Sequence, residues 1–193
     1  MKLLLALSLT LLPFSAHAAK KSGDFKLDTN ASIAKWEGRK LAGSHQGELK
    51  FKGGFLKGAK GALTGGEVTI DMSTLKDYDQ TGEMNAKLVN HLKSDDFFSI
   101  EKFPTSTFKI TKVDTQNGQT TITGDLTIKG ITKPNSFPAV VSVDGKKITA
   151  KGDMTVDRTM YDIKFRSLKF FSDIGDKVIK DDFTVSFDLT ATK

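Results

Sequence analysis

Any chemistry done by this chain would fall to very few side chains. It has 193 residues, no cysteine, and three histidines, at positions 17, 45 and 91. Without cysteine there is no thiolate nucleophile, no cysteine metal site and no redox couple. Ser44 and His45 are adjacent in a glycine-flanked stretch, the residue types of a nucleophile and its base. On a strand, however, neighbours point to opposite faces and cannot serve one another. No G-x-S-x-G elbow, P-loop or G-x-G-x-x-G occurs. His91 and Asp95 stand four apart near an expected helix end. That spacing suits a local hydrogen bond, and the helix dipole favours a histidine there. Asp95 and Asp96 are adjacent turn acids of the kind water solvates. Asp157-Arg158, at a strand end, reads as a structural ion pair. His45 and His91 are too far apart in a cysteine-free chain to suggest a zinc site, so no metal or cofactor is expected.

The elements that would position these residues are mostly strands. In Thr121–Lys129, Ile122, Gly124, Leu126 and Ile128 share one face against threonines, Asp125 and Lys129. Ile148, Ala150, Gly152, Met154 and Val156 alternate the same way, as do Phe183, Val185, Phe187, Leu189 and Ala191. One dry and one wet face is the antiparallel signature. Weaker alternation places strands at Ala34–Trp36–Gly38, Leu49–Phe51–Gly53–Phe55, Val68–Ile70–Met72, Phe108–Ile110 and Phe137–Val143. Asn117-Gly118 and Asp144-Gly145 read as hairpin turns, and Gly65-Gly66 as a kink or bulge. One segment differs. Met84, Leu88 and Leu92 recur every fourth residue, Glu83 and Lys87 can pair, and Thr81 suits an N-cap, which predicts one helix of about three turns. The class is therefore all-β, about eight strands with one helical insertion. Periodicity leaves sandwich and closed barrel open. Small residues on the dry faces (Gly53, Gly124, Ala150, Gly152) either leave interior room or let strands bend.

The N-terminus is a separate matter. Lys2, the apolar run Leu3–Leu12 and Ala16-His17-Ala18 form a secretory signal peptide over 1–18, too short to span a bilayer. Residues 19–193 are then one domain, periplasmic or secreted, large enough to be held by its core without disulfides. The net charge of +6 comes from dispersed lysines. No basic block interleaves with aromatics, so nucleic acid is not an expected partner. Between helix and strand, Phe97, Phe98 and Phe103 crowd a corner that ends at Pro104. They read as a plug packed inward, or as the wall of an apolar ligand tunnel.

"HLKSDDFFSIEKFPTSTFKI" (91–110) resembles the H-L-x-S-x-D-F-F … Y/F-P run of the YceI-like family of exported bacterial proteins. "TGDLTIKGITKP" (123–134), "VDRTMYDIKF" (156–165), "IGDKVIKDDFTVSFDL" (174–189) and "WEGRKLAGSHQGELKFKGG" (36–54) are similar to further family segments, in order. The resemblance implies an eight-stranded antiparallel lipocalin-like barrel over 19–193. It also implies a binder of polyisoprenoid or other long-chain apolar lipid in the barrel lumen. Two departures bear on head-group recognition. The histidine of the usual D-x-x-H-S-x-V opening is missing after Asp28, and no arginine stands near Asn85–Lys87.

The reading that follows is non-enzymatic binding, transport or storage of a polyisoprenoid or isoprenoid quinone. Burying each CH₂ is worth about 0.8 kcal/mol, so apolar walls suffice. The candidate lining set is Trp36, Phe51, Phe55, Phe97, Phe98, Phe108, Leu126, Ile128, Met154, Phe170 and Phe187. Transient membrane contact and a homodimer are both compatible with it. The alternative is an enzyme acting on a lipid-like substrate in the barrel, with Arg158, Tyr161 and His91 as its polar groups.

Overall fold

The computed structural model describes residues 23–41 and 43–193. The expected signal peptide lies outside the described residues. In chain order the elements are β1 (Gly23–Leu27), β2 (Ile33–Lys40), β3 (Gly43–Ala59), β4 (Ala62–Asp77), α1 (Gly82–Lys93), β5 (Thr105–Gln116), β6 (Gln119–Ile128), β7 (Ile131–Val143), β8 (Lys147–Asp157) and β9 (Ile179–Thr192). Two 3₁₀ turns, Arg158–Tyr161 and Gly175–Lys177, interrupt the segment between β8 and β9.

All ladders are antiparallel, and the sheet closes on itself through β2, β3 and onward to β9, which pairs back to β2. β1 and β2 share one position in the wall. β1 pairs the far half of β3 (Phe25 opposite Leu56) and the end of β9 (Leu27 opposite Ala191), while β2 pairs their other halves. The barrel is therefore eight-stranded with one split stave. This decides between the two closures that alternation left open. Closure leaves no free edge, and every dry face now meets the others around one interior.

The turns follow residue chemistry. Asn117-Gly118 has both φ values positive (51° and 80°), the two-residue hairpin its types demand. Lys60-Gly61 and Lys129-Gly130 turn the same way. At Asp144 the side chain does the work instead, accepting from the backbone of Lys146 and Lys147 at 2.7 Å each.

Glycines on the inner faces are covered by rings from adjoining strands. A Cβ at Gly47 would meet the Trp36 indole nitrogen at 2.7 Å, at Gly124 the Phe108 ring at 2.5 Å, and at Gly152 the tip of Phe187 at 3.0 Å. The room these glycines make is taken by large side chains leaning across the wall, which pins register as well as bending strands.

Register within β3 corrects one expectation. Phe51 faces Ile70 and Gly53 faces Thr69, so Lys52 is an extra residue in the ladder. One extra residue reverses which side chains face inward. Leu49 and Phe51 are buried before the bulge, Leu56 and Gly58 after it, and Phe55 is turned outward beneath Lys57, whose Nζ is 5.4 Å from its ring.

The helix lies across one end of the barrel, on the side of the 157–179 segment. Glu83 and Lys87 pair at 2.8 Å as their spacing predicts. Thr81 occupies the N-cap without a side-chain cap bond. Asn85 anchors this end instead, its amide donating to the carbonyls of Asp77 and Gln80 and to the Asp77 carboxylate. The inward stripe is Leu88, Val89 and Leu92, whereas Met84 is 61% exposed.

Candidate functional site

The barrel encloses a cavity of about 360 Å³, within the range of small-ligand sites. Its depth is largely apolar, from Leu49 and Phe51 on β3 through Val68 and Met72 on β4 to Met154 on β8 and Leu189 on β9, with Glu67 of β4 as a charged residue of the wall. A chain of rings crosses it, Phe108 to Phe137 at 5.3 Å and Phe137 to Phe187 at 5.1 Å. Ser106 is a buried polar group of this wall, and its hydroxyl donates to Met72 Sδ at 3.2 Å. Trp36 lies in the wall with its indole N–H donated to the Lys76 carbonyl at 3.0 Å.

At the helix end the wall becomes aromatic and then charged. His91, Phe97 and Phe165 pack as a triad, with His91 edge-on to both rings at 5.0 and 4.6 Å. Phe98 meets Phe183 edge-on at 6.2 Å. Outside these rings the cavity reaches exposed Arg39, Lys40, Lys180 and Asp182, with Arg166 5.0 Å from the Phe165 ring. This end is the mouth.

The corner between helix and strand is therefore part of the cavity wall. Four main-chain bonds fold it back on the helix end, from Phe97, Phe98, Ser99 and Ile100 to carbonyls between Leu92 and Ser94. That turn places Phe97 and Phe98 on the mouth, while Phe103 lies against the β6–β7 turn, 3.1 Å from where a Gly130 Cβ would stand.

Of the predicted lining set, the structure brings Trp36, Phe51, Phe97, Phe98, Phe108, Leu126, Ile128, Met154 and Phe187 to the cavity wall. Two expectations are corrected. Phe55 is outside because of the β3 bulge. Phe170 is 47% exposed on the segment between β8 and β9, its ring 5.4 Å from Lys164 Nζ. Sequence reasoning missed Phe137, Phe165 and Phe183 as wall residues. Phe137 and Phe183 were legible as dry-face residues of their strands. Phe165 sits in irregular chain, where no period exists to read.

The polar candidates serve the scaffold. Arg158 is 4% exposed and does not pair with Asp157 as expected. Its guanidinium donates to the carbonyls of Lys180, Ile163 and Ile179 at 2.8–2.9 Å and approaches Asp181 at 3.5 Å. Burial draws its pKa below the ordinary arginine value, against the opposing charges of Asp181 and Asp157. Asp157 instead caps the 3₁₀ turn through Thr159 and takes Lys169 Nζ at 2.8 Å. Tyr161 is buried, and desolvation, then the Asp157 charge, pushes its hydroxyl up to about 12. His91 bonds Asp96 at 2.9 Å rather than Asp95, which pairs with Lys102 at 2.6 Å. Of Arg158, Tyr161 and His91, the first has its donors committed to the main chain and the second is outside the cavity wall. The three do not form a set of groups converging on one point in the lumen.

The comparisons with known proteins agree with this architecture. A model of the YceI-like domain matches residues 22–191. A UPF0312 protein of Shewanella denitrificans is 33% identical over 144 residues, covering 70% of this chain and 69% of its own length. For a UPF0312 protein of Photorhabdus laumondii the identity is 32% over 104 residues, and the match spans about half of that relative, 54%. Among solved structures, Burkholderia cenocepacia BcnA superposes with a TM-score of 0.69 at 20% identity, covering 86% of this chain and 99% of its own. A polyisoprenoid binding domain from Saccharophagus degradans gives a TM-score of 0.58 at 13% identity, covering 87% and 97%. At such identities the two structures speak for the fold. The domain match, running from the first described strand almost to the end of the last, shows that this chain belongs to the YceI-like family.

Proposed function

We propose that the protein binds a long-chain apolar lipid, a polyisoprenoid or isoprenoid quinone, inside the barrel, and carries or stores it without chemical change. The observation that carries this reading is the cavity of about 360 Å³, whose depth is largely apolar, with Glu67 of β4 as a charged residue away from the opening and Arg39, Lys40, Arg166, Lys180 and Asp182 gathered where it opens. Such a site holds a chain by desolvation, at about 0.8 kcal/mol per buried CH₂, and leaves a polar end at the mouth. The Saccharophagus degradans neighbour, described as a polyisoprenoid binding domain, supports the ligand class.

A carrier must also meet the membrane where such lipids reside. Leu168, Phe170 and Phe171 are exposed by 64%, 47% and 46% on the same segment as Phe165 and Arg166 of the mouth. These side chains suit transient contact with a bilayer. Residues 1–18 would deliver the protein to the periplasm or beyond.

The test is mass spectrometry of lipid extracted from protein purified after export. A stoichiometric isoprenoid or long acyl species is the expected result. Protein that stays empty after incubation with polyprenols and isoprenoid quinones would overturn the reading, and turnover of either would favour an enzyme.

A further inference from the structure

A second cluster lies beside the mouth, where β3 begins and β4 ends. His45 is the third residue of β3, Asp77 is the last of β4, and Asp79 stands in the turn that leads to α1. The ladder joins them, since Gly47 pairs with Asp77 and the Tyr78 N–H bonds the Gln46 carbonyl at 2.9 Å. One ring nitrogen of His45 and one oxygen from each carboxylate lie within 4.8 Å of one another. His45 Nδ1 is already 2.9 Å from Asp79 Oδ2.

Two features leave this cluster open to a further positive group. Asp77 is 7% exposed; its Oδ2 accepts from Gln80 N–H and the Asn85 amide, yet its Oδ1 is buried with no hydrogen-bond partner among the described residues. A buried carboxylate oxygen without a donor is rare and calls for an explanation. Nor is the charge balanced. The ion pairs of the described residues include no lysine or arginine on either Asp77 or Asp79, and His45 alone faces the two acids.

We propose that His45, Asp77 and Asp79 bind a divalent transition-metal ion of the zinc type. The donor set is one imidazole nitrogen and two carboxylate oxygens. Mixed nitrogen and oxygen donors suit zinc and its neighbours, whereas calcium and magnesium take oxygen ligands. Two ligands on one tetrahedral zinc, each at about 2.0–2.1 Å from it, stand roughly 3.3 Å apart, near the His45–Asp79 separation already present. Rotation of the Asp79 side chain at its turn closes the remaining gap. The ion takes the unclaimed Asp77 oxygen, neutralises both carboxylates, and leaves coordination positions for water. It ties the start of β3 to the turn that launches the helix over the mouth. The proposal stands on the cluster alone and does not require that a lipid fill the barrel.

The test is isothermal titration of Zn²⁺ into tag-free protein stripped with chelator. One ion per chain is expected. His45→Gln and Asp79→Asn, at partly exposed positions that should fold normally, are each expected to weaken binding at least tenfold. Zn²⁺ should raise the melting temperature of the parent protein but not of either variant. His91→Gln, which changes the other histidine–carboxylate pair, should bind as the parent does. Absence of stoichiometric binding would overturn the proposal and leave the two carboxyl groups balanced by a shared proton. Full binding by His45→Gln and Asp79→Asn, or loss of binding in His91→Gln, would overturn it equally.

Discussion

Trp36 combines two roles in one side chain. It is the sole tryptophan of the chain, it borders the lumen, and its N–H supplies the Lys76 carbonyl. An apolar chain entering the lumen displaces water from the indole, so loading with a polyprenol should shift its emission to the blue and reduce quenching by acrylamide. Unchanged fluorescence in protein that mass spectrometry shows to be loaded would place the ligand elsewhere. Asp157 carries a different prediction. Despite partial desolvation, its bonds from Lys169 and Thr159 hold its carboxyl below the ordinary 3.8. A carboxylate with a depressed folded pKa stabilises the fold above the unfolded value and loses that contribution as pH falls through the folded one. Asp157→Asn, whose amide oxygen can still cap the turn, should therefore cost up to about 1 kcal/mol at neutral pH by loss of the ion pair with Lys169. In denaturant titrations the difference from the parent should shrink to nothing once the pH is well below 3.8.

At the scale of elements, the strands were legible and their irregularities less so. The alternation of β6, β8 and β9 gave the inward faces directly, because burial on one side imposes a period of two. Alternation predicts Phe55 on the inner face, but the bulge at Lys52 changes the parity, and Gly53-Gly54 does not announce where the extra residue sits. The four-residue spacing predicts Met84 on the helix's apolar stripe, but a short helix over a mouth buries a narrow face and leaves it exposed. Phe170 belongs to the 157–179 segment, whose path is set by the Arg158 guanidinium binding three carbonyls rather than by any repeat. That segment yields the next prediction. Changing Leu168, Phe170 and Phe171 together to serine should slow lipid transfer from vesicles severalfold while leaving the final extent of loading unchanged. Equal transfer rates would remove the membrane role from this segment. In the wall itself, Gly152→Val would drive a side chain onto the Pro138 carbonyl and the Phe187 ring, at 2.6 and 3.0 Å from the first added carbon. A loss of about 1–3 kcal/mol is expected on thermal or denaturant unfolding.

For the molecule as a whole, the balance between filled core and empty lumen sets what the barrel can do. Phe25, Leu27, Ile148 and Ala191 are almost fully buried at the β1 end, whereas the opposite end opens between α1 and the 157–179 segment. One end is therefore a packed base and the other an entrance. Met154→Arg, in the wall of the lumen, should abolish co-purification of lipid, since an unpaired buried charge is costly and the chain cannot neutralise it. A folded Met154→Arg protein that keeps its lipid would refute the lumen as the binding site. Ligand should also stabilise the parent, by about 2.7 kcal/mol at a hundredfold excess over Kd.

The all-β class, the helix, the main inward faces and the aromatic corner follow from the order of residues, because these depend on local period and on side chains a few positions apart. The sequence also carries the family, through segments in a fixed order. The closure of the sheet as a barrel with a split stave, the place of inner glycines beneath rings of neighbouring strands, and the meeting of His45 with Asp77 and Asp79 emerge in the folded chain alone. Each of these depends on which strands pair and in what register. Residues more than thirty positions apart become neighbours through the ladder, and no spacing along the chain records that.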